Sequence, residues 1–220
     1  TTKPMEANVD ACDAMIAEAE ARGLLLAVDL DRRNRQDTQE LKAAVAQGSF
    51  GRLLHGMASV EIQRTMDYFR ENGGWRGTRR WDGGGVLSNQ AIHHIDELVY
   101  IIGAPSRVRC DVWTQAHDIE AEDLGIATWQ YADGMIISFV ATTSYPQNTW
   151  FSRLELTGTA GAYFAANAGP MAEPKCQWFL QGAWSETPPV PVAYEWMNSM
   201  DNFAAAVRTE IGRASWGGTV

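Results

Sequence analysis

A short α/β tail running into a largely antiparallel sheet, with a last helix laid over it, is the fold class that this 220-residue sequence predicts. Three observations carry the expectation. A helically spaced segment near the start is followed by a continuous apolar run, LLLAVDL, of the kind shown by a strand buried on both faces. Beyond residue 52 the chain turns to short runs of strand-forming residues, several of them alternating. Residues 198–209 then return to helical periodicity.

Each element follows from its local pattern. In residues 5–22 the apolar side chains Val9, Ala11, Met15, Ile16 and Ala19 recur at helical spacing, and Gly23 stands in the usual stop position. Residues 3–30 thus read as a turn, a helix and a parallel strand. TQELKAAVAQG predicts a second helix closing at Gly48. LLHGMASVEI begins the strand-rich part, followed by VRCDVWTQ, LGIATWQY, MIISFVATT, RLELTG, AYFAA and CQWFL. Asp133-Gly134 is a hairpin signal, because both residues tolerate the positive φ of a tight turn. TPPVPVAYEW predicts an extended connector, and Met200, Phe203, Ala204 and Val207 mark the apolar side of the last helix.

Composition narrows the function. With 45% hydrophobic residues the chain can bury one sizeable core, and its net charge of -9 opposes nucleic acid or an anionic membrane as partner. Small molecules fit better. Cys12, Cys110 and Cys176 are too few and too scattered for a disulfide framework or a zinc knuckle, so they are expected to be buried, in a cytoplasmic, reducing setting. The start TTKPMEANVD lacks an initiator methionine, and the chain is expected to be a fragment.

The richest stretch is GGGVLSNQAIHHIDELVYIIG, residues 83–103. Its glycines mimic a dinucleotide turn, but RGTRRWD precedes them where a buried strand is required. His93 and Glu97 have the spacing of two metal ligands, with no third or fourth apparent, so no metal is expected. On one helix, Ala91, Ile95, Leu98 and Ile102 form an apolar stripe and Asn89, His93, Asp96 and Tyr100 a polar one. The polar stripe is either a solvated surface or the wall of a pocket, which the glycines ahead of it would open.

TTKPM, GLLLAVDLDRR, WRGTRRWDGGG and NQAIHHIDELVYIIGAP together resemble the motifs of the Gfo/Idh/MocA oxidoreductases, and EAEDLGIATWQYADGMIISFVATTSYP and RLELTGTAGAYF resemble the hairpins of that family. The resemblance implies an α+β fold: an open mixed, mostly antiparallel sheet with helices on one face, preceded by the terminal helix and strand of a Rossmann-type domain. Residues 1–30 would be the remnant of the NAD(P)-binding domain. Residues 31–220 would form the substrate-binding and oligomerisation domain, incomplete at its C-terminus. The family implies NAD or NADP as cofactor, a sugar or nucleotide-sugar secondary alcohol as substrate, and a homo-oligomer. It implies Lys3 and His93 as catalytic residues and Lys3 with Pro4 beside the cofactor. The fragment alone is expected to be inactive.

The residues suit that chemistry. A hydroxyl proton must leave as hydride departs for the nicotinamide, and histidine, with an unperturbed pKa of about 6.5, is a base suited to neutral pH. Many relatives carry aspartate where this chain has Asn89. An amide orients a hydroxyl without accepting its proton, which moves the base role to His93 or Lys3. Arg76 either holds a substrate carboxylate or phosphate or makes a surface ion pair. Trp75, Trp81 and Tyr68 either stack on a sugar ring or belong to the core. The competing reading is a non-catalytic carbohydrate-binding or dimerisation module of the same fold.

Overall fold

In the computed structural model β1 (Leu53–Ile62) lies at the middle of the molecule, and its register explains the rest. Residues 1–146, 150–169, 174–193 and 198–209 are described. β1 follows α1 (Val9–Ala21), a 3-10 turn (Asp31–Asn34) and α2 (Gln36–Ala46). Short helices α3 (Met66–Arg70) and α4 (Val86–Asn89) lead to α5 (Ile92–Ile102). Then come β2 (Arg107–Trp113), β3 (Leu124–Gln130), β4 (Ile136–Thr142), β5 (Trp150–Gly158), β6 (Gly161–Ala168), β7 (Lys175–Leu180), β8 (Ala183–Ser185) and α6 (Ser199–Thr209).

The eight strands form one open sheet in the order β2-β3-β4-β1-β5-β6-β7-β8. β1 pairs parallel with β4 and antiparallel with β5, and the other neighbours are antiparallel. The sheet is therefore mixed and mostly antiparallel. Alternation assigns its two faces. Ala58, Val60 and Ile62 of β1, Ile137, Phe139 and Ala141 of β4 and Leu154 and Leu156 of β5 point to one side, where they meet Leu41, Ala44, Val86, Leu98 and Ile101 of the helices. At about 25 cal/mol per Å² of apolar surface, this buried layer is the main source of stability.

Four expectations change. Residues 24–30 form no strand: Thr1 N donates to Ala27 O at 2.8 Å and Asp29 N to Thr1 O at 3.0 Å, a single rung where a ladder needs a longer partner. α1 starts at Val9, because Asn8 Oδ1 caps Ala11 N at 2.9 Å, and it buries none of its residues, Val9 being 72% exposed. The predicted helix over 89–102 is two, α4 and α5, separated by Gln90 and Ala91. Cys110 is exposed and Cys12 and Cys176 are half-buried, so none is a core residue, Cys110 because it lies on the edge strand β2. The α6 helix matches its expected span, and its Asn202 Nδ2 donates to Asn34 Oδ1 at 3.2 Å. Residues 210–220 and the whole YEW end of the predicted connector lie outside the described residues.

Candidate functional site

The triple glycine shows how the site is assembled. A Cβ on Gly83, whose φ is +74°, would sit 2.5 Å from Ala7 O, and one on Gly85 would sit 1.8 Å from Glu122 O. The glycines are there so that three stretches of backbone can touch. They do not form a phosphate-binding turn, and their contact with Ala7 brings the first residues of the chain against the start of α4. Lys3 follows.

Lys3 Nζ donates to the carbonyl of Asn89 and, at 3.1 Å, to its Oδ1. Asn89 Nδ2 donates to Asp82 Oδ1 at 2.7 Å, and Asp82 Oδ2 accepts Gly77 N at 2.8 Å. This chain of bonds aligns the amide and leaves the third Lys3 proton for another acceptor. Burial pulls the Lys3 pKa down, an effect that Asp82 opposes and that the neighbouring Arg64 and Arg76 reinforce. Burial pushes the Asp82 carboxyl up against the bonds it accepts from Gly77 and Asn89.

His93 lies at the first turn of α5 with a quarter of its side chain exposed, and its Nδ1 stands 3.0 Å from Asp31 Oδ1. That pair has ion-pair distance without the alignment of a full hydrogen bond. Pairing with His93 holds the Asp31 carboxyl below its ordinary range, against the opposing effect of burial. Asp31 also acts electrostatically on Lys3, so His93 and Lys3 share one neighbourhood.

The polar stripe divides. Asn89 and His93 lie in the neighbourhood of Lys3, whereas Asp96 and Tyr100 are turned to Arg33 and Lys42. Arg33 grips Asp96 with two bonds, the Nε one at 2.7 Å, and the Tyr100 ring lies under Lys42 Nζ, 3.3 Å from its centre. This face is neither solvated nor a pocket wall, because residues 31–46 cover it. His94 is fully buried, with neither ring nitrogen hydrogen-bonded. Burial drives its pKa well down, and with Ser152, Leu154 and Tyr163 it lines a cavity of about 20 Å³.

The aromatic and basic candidates converge near Tyr68. Gln90 Nε2 donates to Tyr68 Oη at 3.0 Å, Arg76 donates to the Tyr68 carbonyl at 3.0 Å, and Arg76 Cζ lies 4.4 Å from the Tyr68 ring centre and 5.1 Å from that of Trp75. Trp75 is half-buried and Trp81 is 63% exposed, so neither is a core residue. With Gly73, Gly74 and Thr78 they line a concavity of about 440 Å³. Arg76 also approaches the exposed Glu71 at 3.5 Å, so part of the surface-pair reading holds beside the site reading. Pro4 follows a cis Lys3-Pro4 bond. Sequence reasoning missed Asp31, Asp82 and Arg64, which only tertiary contact identifies. Among the described residues no group of three or more His, Cys, Asp or Glu side chains is placed to hold a metal ion, and no helix is long and apolar enough to cross a membrane.

This arrangement has known relatives. Residues 38–164 match the family model described as the GFO/IDH/MocA C-terminal domain, and the chain belongs to the Gfo/Idh/MocA family of oxidoreductases. Comparison with curated proteins gives no match. Among solved structures it is similar to the WlbA dehydrogenase of Bordetella pertussis, in complex with NADH and UDP-GlcNAcA, with 26% identity and a TM-score of 0.80 over 94% of this chain and 60% of that one. The WlbA dehydrogenase of Chromobacterium violaceum, in complex with the same two molecules, is 26% identical with a TM-score of 0.75, over 100% of this chain and 61% of that one. The aldose-aldose oxidoreductase of Caulobacter crescentus, complexed with glycerol, shares the fold at 21% identity and a TM-score of 0.80, over 95% of this chain and 61% of that one. The chain thus spans about 60% of the length of the structures it resembles.

Proposed function

We propose that this chain is the substrate-binding part of an NAD- or NADP-dependent dehydrogenase that transfers a hydride between a secondary alcohol of a sugar, sugar derivative or nucleotide sugar and the nicotinamide. The observation that carries the reading is the bond of Lys3, from the first residues, to Asn89 of α4, with His93 of α5 paired to an Asp31 that also acts on Lys3. The family and the NADH and UDP-GlcNAcA complexes of the WlbA relatives support it.

In this reading His93 is the base. With Nδ1 turned to Asp31, Nε2 is the nitrogen left to take the hydroxyl proton, and the Asp31 carboxylate fixes the orientation of the ring. The remaining Lys3 proton faces the developing alkoxide, whose charge an ammonium favours. Asn89 orients both partners and gives up no proton. A bound nicotinamide supplies the hydride acceptor. Of this chain's residues Lys3 and Pro4 suit a place beside it, whereas the packing of Gly83 and Gly85 against Ala7 and Glu122 leaves them no room to cradle its phosphates.

Steady-state kinetics of the natural full-length protein with sugar and nucleotide-sugar alcohols test the proposal. His93→Ala is expected to lower kcat by roughly 100-fold to 10,000-fold, the usual worth of general-base catalysis, and to abolish the rising limb of the pH–rate profile. Asn89→Ala costs less. Near-normal turnover in His93→Ala with complete loss in Lys3→Ala would give the proton to lysine. Sugar binding without any turnover would establish the non-catalytic module instead.

A further inference from the structure

Arg64 has no place in the mechanism above, yet the fold fixes it with unusual care. Its backbone N donates to Thr143 O at 2.9 Å, and its carbonyl lies 2.8 Å from His117 Nε2. His117 is fastened in turn by Nδ1, 3.0 Å from Asp123, whose carboxylate accepts the backbone N–H groups of Gln115, Ala116 and His117. The side chain leaves this frame toward the site. Arg64 Cζ lies 4.7 Å from the Tyr68 ring centre, beside Arg76 at 4.4 Å, and 5.6 Å from the ring of Trp150. Its NH1 donates to the carbonyl of Gln63, while its Nε is buried and has no hydrogen-bond partner among the described residues.

Two guanidinium groups, Arg64 and Arg76, therefore lie against one tyrosine, with Lys3 within electrostatic reach of both, in a chain whose net charge is -9. The nearby carboxylates offset part of this charge, Asp82 and Asp31 both acting on Lys3, but among the described residues none of them pairs with Arg64. Asp82 gives its oxygens to Gly77 and Asn89, Asp31 is turned to His93, and Glu71 reaches only Arg76, from an exposed position 3.5 Å away. Two guanidinium groups beside an aromatic ring, one with an unused buried donor, suit a planar or tetrahedral anion that accepts from both forks. A neutral sugar offers no such partner. Tyr68 Oη, held by Gln90, joins this cluster to the Asn89 end of α4, so an anion there belongs to the same molecule that presents its hydroxyl to Lys3 and His93.

We propose that Arg64 and Arg76, arranged about Tyr68, form a receptor for an anionic group of the substrate, a carboxylate or phosphoryl group carried by the sugar. The assignment rests on the functional reading above and narrows its substrate to acidic sugars.

Calorimetric titration of the protein with glucose, glucuronate and glucose 1-phosphate tests it, alongside turnover of all three by the full-length protein. At least one acidic sugar is expected to bind ten-fold or more tightly than glucose, with a preference that shrinks as salt is added. Preference for glucuronate identifies a carboxylate and preference for glucose 1-phosphate a phosphoryl group. Arg64→Gln and Arg76→Gln should each erase most of the preference, and Arg64→Lys, which keeps the charge and loses the fork, should restore part of it. Thermal unfolding of each variant verifies that it is folded, and Arg76→Gln decides the matter if Arg64→Gln is not. Glucose binding and reacting as well as both acidic sugars would overturn the receptor while leaving the dehydrogenase reading intact. Failure to bind or turn over any sugar, nucleotide sugars included, would remove both.

Discussion

Asp123 illustrates how one residue can organise a site it never touches. It is wholly buried, and burial alone would raise its pKa, yet the backbone donors of Gln115, Ala116 and His117 and the His117 ring outweigh that penalty and hold the carboxyl below its ordinary range. The sign of the linkage follows. A carboxyl with a depressed folded pKa contributes stability that is fully present above the unfolded value, near 3.9, and is lost as pH falls through the folded value. Asp123→Asn places an amide donor among donors already in place and is expected to cost about 2–4 kcal/mol at neutral pH. Thermal melts between neutral and acidic pH should show a shallower acid limb in the variant, and parallel curves would refute the assignment. Sequence could not announce this role. His93, Asn89 and Lys3 were legible because they sit in motifs, whereas Asp123, Arg64 and Asp31 acquire meaning only from residues distant in the chain.

At the scale of elements, alternation made the strands legible and partners decided the exceptions. Residues 53–62 and 136–142 alternate inward and outward as their sequences suggest. The run LLLAVDL has the composition of a buried strand, but a strand is defined by its neighbours and among the described residues only Thr1 pairs with its backbone. The polar stripe of α5 was legible as a stripe and misread in part, because periodicity assigns faces without naming what covers them. Arg32 reaches Glu97 at 3.0 Å, Thr38 Oγ1 donates to the same carboxylate at 2.7 Å, and Arg33 binds Asp96. These bonds dock the 31–34 turn and α2 onto α5, and thereby hold Asp31 beside His93. Glu97→Ala leaves a mostly buried guanidinium and a buried hydroxyl unpaired, for an expected loss of about 3–5 kcal/mol. Glu97→Gln, which still accepts from Thr38, should lose less. Urea unfolding with an unchanged m-value measures both, and a loss below about 1 kcal/mol for Glu97→Ala would mean that apolar packing alone docks α2.

At the scale of the whole molecule, the sheet presents a second face that no helix among the described residues covers. The register places Trp113 opposite Leu124, Ile126 opposite Val140 and Ile136 opposite His55, so these side chains share that face across four neighbouring strands. Trp113, Ile126 and Ile136 are 42%, 46% and 43% exposed. Apolar side chains exposed in this number on one face, here interleaved with Asp111, Thr128 and Ser138, suit a contact, and a second copy of the chain can cover them by the same two-fold operation that makes most homo-oligomers. A stable contact requires about 1,000 Å² or more of total buried area, which a face of this breadth can supply. The expected result is an oligomer in sedimentation equilibrium. Ile126→Lys combined with Ile136→Lys should shift it to monomer, since two exposed isoleucines become two charges that association would have to desolvate. The fold should survive, because both side chains point away from the core shared with α5. A wild-type monomer at the highest soluble concentration would refute this use of the face. An oligomer that persists in the double variant would instead place its interface elsewhere, with the edge strand β2 the next region to alter.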